Sequence, residues 1–574
     1  MNTAAVLPLR ADNRAPRAEA HPLRFVSAAS LFDGHDAAIN MIRRLLQAHG
    51  AEVVHLGHNR SVADIVRAAI QEDADGIAVS SYQGGHNEYF AYMVDTLRQQ
   101  GVEHIRVIVG GGGTIAPHEV AELETHGVEK IYTPEDGRRL GLDGMIDDVF
   151  KRVAASPKPD YAFGAGSSLD PRNHHELAQA ISLLEATSAD DAAGQEIRKA
   201  IARAKDHGGA PVIGLTGTGG AGKSSLNDEL LQRFVRHFPE RTIAVVAMDP
   251  TRRRSGGALL GDRIRMNSLA AENVFMRSLA TRRQNLATSA VLKDVIGLLR
   301  LANFDLIIVE TAGIGQSDTE ITDMVDVSAY VMTSEYGAAS QLEKIDMLDF
   351  ADLVVLNKFE KRGAEDALRD VRKQWRRNHP DRARLADEQL PVFPTIASRF
   401  NDPGVNHLFT ELCKLINERR PGPVAWSPGD VGPTRFVSRD PLIPGTRSRY
   451  LAEIAGSGRK ARSDIEGRVD AARRASGLYE SLRALHDARL PGPLDRFPEE
   501  ALEDQSIDAT RRELRAAYNK ALDDVGAEGV GELKRWPRRV SGVSDEKYSY
   551  KVRDKVVTGD NYVTSLSGNP MAKI

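Results

Sequence analysis

A chain of 574 residues, 41% hydrophobic and 27% charged, exceeds what one hydrophobic core supports and divides among several domains. Its net charge of −4 and pI near 6.5 argue against nucleic acid as a partner, and no window approaches the roughly 18 apolar residues of a membrane span. Cys413, the only cysteine, excludes an intrachain disulfide or a thiolate metal cage.

Residues 1–23 carry scattered Arg and Pro without the apolar core of a secretory signal, so they read as a disordered tail of a cytoplasmic protein. From 24 to 153 short apolar runs at 24–29, 52–56, 76–80, 106–109 and 130–132 alternate with helical patterns such as 37–48 and 62–71. Five βα units of this size predict an α/β domain with a doubly wound parallel sheet. A Pro/Gly/Ser-rich stretch at 155–171 and an Ala-rich helical segment, together 154–208, link it to a second α/β domain at 209–418. Pro421, Pro423, Pro428 and Pro433 open a second linker, 448–536 reads as helices, and the sequence turns β-like from about 540 to 574.

The run Gly217-Thr-Gly-Gly-Ala-Gly222-Lys223-Ser224 lies between an apolar strand pattern and a helical one, the setting of a phosphate-binding loop. There the backbone at Gly217, Gly220, Ala221, Gly222, Lys223, Ser224 and Ser225 curls around phosphate, and the helix N-terminus adds its dipole. Lys223 is expected to reach the β/γ-phosphates and the Ser224 hydroxyl to hold Mg²⁺. Apolar runs at 242–248 and 304–309 end in Asp249 and Glu310, carboxylates placed either to bind Mg²⁺ or to cap the next turn.

Glu310-Thr-Ala-Gly313 resembles the D-x-x-G switch of GTPases, with Gly313 N–H sensing the γ-phosphate. Asn357-Lys358-Phe359-Glu360 resembles their N-K-x-D guanine reader, whose carboxylate accepts from guanine N–H groups that adenine lacks. Glu360 is one methylene longer than the usual Asp. Thr395-Ile-Ala-Ser398 falls where such proteins place their last base-contacting loop. The set predicts a GTPase with Lys223, Glu310 and Gly313 as its catalytic residues. Gly256-Gly-Ala-Leu-Leu-Gly-Asp262-Arg263-Ile-Arg265-Met, with Glu310 to Ser317, is similar to the GTPase chaperones of methylmalonyl-CoA mutase and its relatives. That resemblance implies that Asp262 joins Ser224, Asp249 and Glu310 around Mg²⁺ and that Arg265 touches the nucleotide. The neighbouring cluster Arg252–Arg254 is either a charge-stabilising element or a solvated loop.

In the first domain Asp33-Gly34-His35-Asp36-Ala37-Ala38 follows the first strand, so His35 can present a ring nitrogen to a metal while Asp33 fixes its tautomer. Alone, such a pair is more often structural. Ser80 ends the third strand, however, and Gly110-Gly-Gly-Gly113 follows the fourth. The combination resembles the cobalamin-binding domain of adenosylcobalamin-dependent mutases, with its D-x-H-x-x-G, S-x-L and G-G signatures. The resemblance implies a flavodoxin-like fold in which His35 is the lower cobalt ligand and Asp33 its partner. It also implies that Ser80 contacts the displaced base and that Gly112 and Gly113 leave room for the nucleotide tail. Ala38 stands where the signature has Gly, and Tyr82 where it has Leu.

A cobalamin domain followed by this GTPase resembles the fused isobutyryl-CoA mutases, in which both precede an acyl-CoA barrel. Matching stretches include His55-Leu-Gly-His-Asn-Arg-Ser61, Gly337-Ala-Ala-Ser-Gln-Leu-Glu-Lys344 and Tyr550-Lys-Val-Arg-Asp554. Adenosylcobalamin, Mg²⁺ and GTP or GDP follow as implied ligands, and isobutyryl-CoA/n-butyryl-CoA interconversion as the implied reaction, with GTP hydrolysis gating cofactor loading. A homodimer and an adenosyltransferase partner are further implications. A barrel takes about 200 residues or more, so the expectation is that it comes from a longer chain or a separate polypeptide. A reading of another class is a cobalamin sensor or carrier whose GTPase is a regulatory module.

Overall fold

The structure, a computed structural model, describes residues 22–572 except 112, 157, 160, 165–167, 187–191, 205–208, 250, 252–256, 281–290, 312, 314–318, 337–341, 423–424, 435–448, 554 and 566–567. The N-terminal tail expected to be disordered lies outside the described residues, apart from its last two. The chain forms two compact units, residues 1–437 and residues 438–574.

The first unit holds two parallel sheets. In the first, β1 (Arg24–Ser30), β2 (Glu52–Arg60), β3 (Gly76–Ser80), β4 (Arg106–Gly110) and β5 (Lys130–Tyr132) alternate with helices, among them α1 (Asp36–Ala48) and α2 (Val62–Gln71). Its strands are mostly buried, consistent with their continuous apolar runs. Side-chain caps fix two of the helix starts: Ser61 accepts from Asp64 N–H, and Thr133 and Asp136 form a reciprocal capping box.

The second sheet is built from β6 (Val212–Gly217), β7 (Ile243–Asp249), β9 (Val274–Ala280), β10 (Leu306–Glu310), β11 (Val327–Thr333), β12 (Leu353–Asn357) and β13 (Val392–Pro394), in the order β13-β12-β11-β6-β10-β7-β9. Apolar clusters cover both faces. Helices His174–Ala186 and Ala192–Ala204, read from sequence as part of the linking stretch, contribute Leu177, Ile181 and Ile197 to one of them.

The sequence predicts five strands for the first sheet, and the structure has six. The sixth, β8 (Ala258–Leu260), comes from the second domain and extends the order to β5-β4-β3-β1-β2-β8. It pairs in parallel with β2, Glu52 opposite Ala258 and Val54 opposite Leu260. Ala258 and Leu260 are fully buried in the first domain's core. A buried leucine contributes about 1.5–3 kcal/mol, which adds to the ladder hydrogen bonds with β2 in ordering a three-residue strand that propensity alone would not form.

The second unit is dominated by helices Tyr450–Ala484 and Ala509–Ser544, the latter broken at Gly526 by a non-helical backbone. The β-like character expected from residue 540 begins later, because the helix runs to Ser544 and the first hairpin spans Lys547–Val552 and Lys555–Asp560. Leu482, Phe497, Tyr518 and Leu522 make the core of the unit. Arg515 reaches into it and pairs with Asp487 through Nε (2.8 Å) and Nη2 (2.6 Å), both side chains almost fully buried.

Candidate functional site

The tips of β6, β7 and β10 and the start of the helix Lys223–His237 enclose a cleft of about 440 Å³. Gly220, Gly222, Lys223, Ser224, Ser225, Asp249, Arg265, Glu310 and Lys358 line it. The helix begins after Gly222 without a side-chain cap, so its first N–H groups face the cleft uncovered by a capping residue. Gly222 (φ +91°) approaches Asn357 so closely that a Cβ would lie 2.5 Å from its Nδ2, and Gly313 (φ +66°) leaves no room for a Cβ beside Lys223 Nζ. Both positions demand glycine.

Lys223 is buried and donates to the Gly217 carbonyl (3.1 Å) and, more weakly, to that of Thr218 (3.4 Å). Ser224 Oγ donates to Glu310 Oε1 (2.8 Å), and Asn227 Nδ2 to Glu310 Oε2 (3.1 Å). Asp249, on the neighbouring strand, accepts from Gly261 N–H through Oδ2 (3.2 Å). Ser224, Glu310 and Asp249 form an all-oxygen donor set, the kind a hard cation takes while keeping several waters. No group of three or more His, Cys, Asp or Glu side chains able to hold a metal occurs among the described residues. The side chain of Asp262, the fourth expected Mg²⁺ ligand, lies outside the described part, as does the Arg252–Arg254 cluster.

Asn357 stands behind the loop. Its Nδ2 donates to the Ala221 carbonyl (2.8 Å), and its Oδ1 accepts from Thr395 Oγ1 and Ala397 N–H (3.1 Å each). It thus ties the phosphate loop to the loop after β13. Lys358, at φ +58°, donates to the Gly220 carbonyl (2.7 Å). Glu360 and Ser398 are exposed and do not line the cleft.

The second constellation sits at the carboxyl end of β1. Asp33 is fully buried and accepts from His35 Nδ1 (2.8 Å), His35 N–H (2.8 Å) and Tyr82 N–H (2.7 Å). Burial alone would raise its carboxyl, but these donors outweigh it and hold it below the ordinary value. With Nδ1 committed to Asp33, Nε2 is the nitrogen of the mostly exposed His35 ring left for a ligand. The Tyr82 ring lies 5.6 Å from that of His35.

Ser80 Oγ is buried and has no partner among the described residues, and added Cβ atoms at Gly34, Gly84 and Gly110 would meet open space. An orphaned hydroxyl and uncrowded glycines beside a tautomer-fixed histidine fit a large planar cofactor with a polar tail. Gly113 has φ +91°, and Gly112 lies outside the described residues.

Residues 23–136 match the family described as B12 binding domain, and residues 177–417 the family described as Methylmalonyl Co-A mutase-associated GTPase MeaB. Over its full length the chain is 46% identical to the fused isobutyryl-CoA mutase of Cupriavidus metallidurans, covering 50% of that protein. Matches to the fused isobutyryl-CoA mutases of Geobacillus kaustophilus and Nocardia farcinica, at 45% and 44% identity, cover 96% and 97% of the chain and 49% of each relative. Along nearly its whole length the chain is therefore similar to the fused isobutyryl-CoA mutases. It spans about half the length of the curated relatives it matches. Within it a cobalamin-binding domain precedes a MeaB-type GTPase domain, and among the described residues no helix is long and apolar enough to cross a membrane.

In this B12-plus-GTPase arrangement two site residues escape the motifs. Asn227 lies four residues after Lys223, hence on the same helix face, and that spacing is its sequence signal. The Tyr82 N–H carries no such signal, because it reaches Asp33 from the end of another strand, 49 residues away.

Proposed function

We propose that this chain binds adenosylcobalamin through His35 and Mg²⁺·GTP at the phosphate loop, and that GTP hydrolysis gates cofactor loading for an isobutyryl-CoA/n-butyryl-CoA mutase. The observation that carries the reading is the exposed His35 ring held by the buried Asp33 carboxylate, in the same compact unit as the phosphate loop. Adenosylcobalamin, when bound, supplies radical chemistry to the mutase reaction. Asp33 holds His35 Nδ1 and leaves Nε2 for cobalt, Ser80 contacts the displaced base, and Gly112 and Gly113 leave space for the tail.

At the other site Lys223 and the N–H groups of residues 220–225 hold the phosphates, Gly313 N–H reads the γ-phosphate, and Arg265 adds positive charge. Ser224, Asp249, Glu310 and Asp262 are placed for Mg²⁺, whose charge offsets that developing on the leaving phosphate. Asn357, Lys358 and Ser398 shape the base pocket, and Glu360 selects guanine. The acyl-CoA barrel, a homodimer and an adenosyltransferase donor complete the reading as partners.

The test is the spectrum of bound cobalamin. His35→Ala is expected to lose the histidine-ligated spectrum while GTP binding persists; an unaltered spectrum contradicts ligation by His35.

A further inference from the structure

The stretch from Gly257 to Met266 serves both domains at once. On one side it borders the nucleotide cleft: Gly261 N–H donates to Asp249 Oδ2, and Arg265 lines the cavity. On the other it is the edge strand β8 of the cobalamin-domain sheet, where Ala258 N–H donates to the Ala51 carbonyl (3.2 Å). Two side chains then fasten the next turn. Ile264 lands on Gly57 of β2, where an added Cβ would meet its Cδ1 at 2.8 Å, and Arg60 Nη2 reaches the Ile264 carbonyl (3.4 Å). Arg263 is buried and donates to Glu72 Oε1 (2.8 Å), Gln71 Oε1 (2.8 Å) and the Met276 carbonyl (2.7 Å).

The end of β2 that receives Ile264 is irregular. Its register against β1 shifts twice between Ser27 and Ser30, opposite His55 to Arg60. Within it stands Asn59, at φ +56°, whose Oδ1 accepts the N–H of Phe32 (2.8 Å), itself at φ +64°. Asp33 is the next residue, and its carboxylate holds His35. Tyr89 Oη donates to the Arg60 carbonyl (2.7 Å) and closes the same corner. Contacts therefore run without a gap from the edge of the nucleotide cleft, through Ile264 and the bulged end of β2, to the histidine loop. Coupling between sites needs one element whose arrangement both can bias, and the irregular end of β2, joined to the loop after β1 through Asn59 and Phe32, is the element that touches both sides.

We propose that Gly257–Met266 transmits the state of the bound nucleotide to the His35 loop, with Ile264 and Arg263 as positioning residues acting through β2 and α2. The proposal rests on the reading that the two sites bind Mg²⁺·GTP and cobalamin.

The full chain, with Mg²⁺ and either GDP or a non-hydrolysable GTP analogue, is titrated with adenosylcobalamin, and backbone hydrogen exchange is read in both states. The parent is expected to show nucleotide-dependent protection at residues 53–60 and 32–35, with cobalamin affinities about fivefold or more apart. Ile264→Ala removes a half-exposed side chain and is expected to keep nucleotide binding, lose the exchange difference and bring the affinity ratio toward one. Arg263→Lys keeps the charge and is expected to weaken the coupling in the same direction. An exchange difference at 53–60 that survives in both variants overturns the proposal, as does its absence from the parent. An intact exchange difference with equal cobalamin affinities removes the gating reading instead and leaves the transmission segment standing.

Discussion

Lys223 is held as a fixed charge by the carbonyls of its own loop, with Gly313 packed against its ammonium. A buried point charge acts on phosphate across little intervening water, where Coulomb forces are strong. Lys223→Ala is expected to lower GTP turnover by about a hundredfold or more with the far-ultraviolet circular dichroism unchanged. Turnover within a factor of two of the parent contradicts the assigned role. At this scale the local motifs were legible: Asp33–His35 and Ser224–Glu310 meet as their types and positions implied. Partners that arrive by tertiary folding were not, as with Tyr82 N–H on Asp33 and the placement of Asn357 behind the phosphate loop. Glu360, read from its motif as the guanine selector, is exposed and lies outside the cleft lining.

The elements repeat the pattern. β3, β5 and α2 begin and end where the apolar periodicity places them, because burial on a sheet or helix face is written in the local sequence. β8 was not named, since three residues form a strand only when β2 offers its edge and the core takes Ala258 and Leu260. The helix ending at Ser544 overran the expected switch at residue 540, carrying Pro537 inside it.

In the second unit Asp487 and Arg515 make a buried pair that fastens the helices. The Arg515 guanidinium holds the Asp487 carboxyl below its ordinary value, outweighing burial, which would raise it. A depressed carboxylate contributes stability that is complete above the unfolded value of about 4 and is lost as pH falls through the folded value. Asp487→Asn is expected to destabilise this unit by about 3–5 kcal/mol at neutral pH, because Arg515 is left buried without its counter-charge. It should also flatten the acid limb of the unit's melting temperature. A variant that melts with the parent at every pH contradicts the assignment.

At the scale of the molecule, a B12 binding domain and a MeaB-type GTPase domain share one compact unit, and a strand of the second completes the sheet of the first. Buried ions reinforce the junction: Glu72 takes Arg263 and Ser278 from the GTPase part, while Arg24 pairs with Glu52 and Glu185. Burial opposes the charge on Arg24, and the three surrounding glutamates outweigh it, raising its affinity for the proton. Removing one partner from such a network costs far more than the pair contributes, because it leaves a buried charge uncompensated.

Occupancy of the phosphate loop is expected to change how tightly cobalamin is held. Because coupling in binding free energy is reciprocal, the nucleotide must respond to cobalamin by the same factor. The direct measurement is the dissociation constant of adenosylcobalamin for the full chain with Mg²⁺·GDP and with a non-hydrolysable Mg²⁺·GTP analogue, paired with the analogue's dissociation constant with and without cobalamin. Cobalamin constants are expected to differ by about fivefold or more between nucleotides, with a matching shift in nucleotide affinity. Equal constants in both nucleotide states would contradict that coupling.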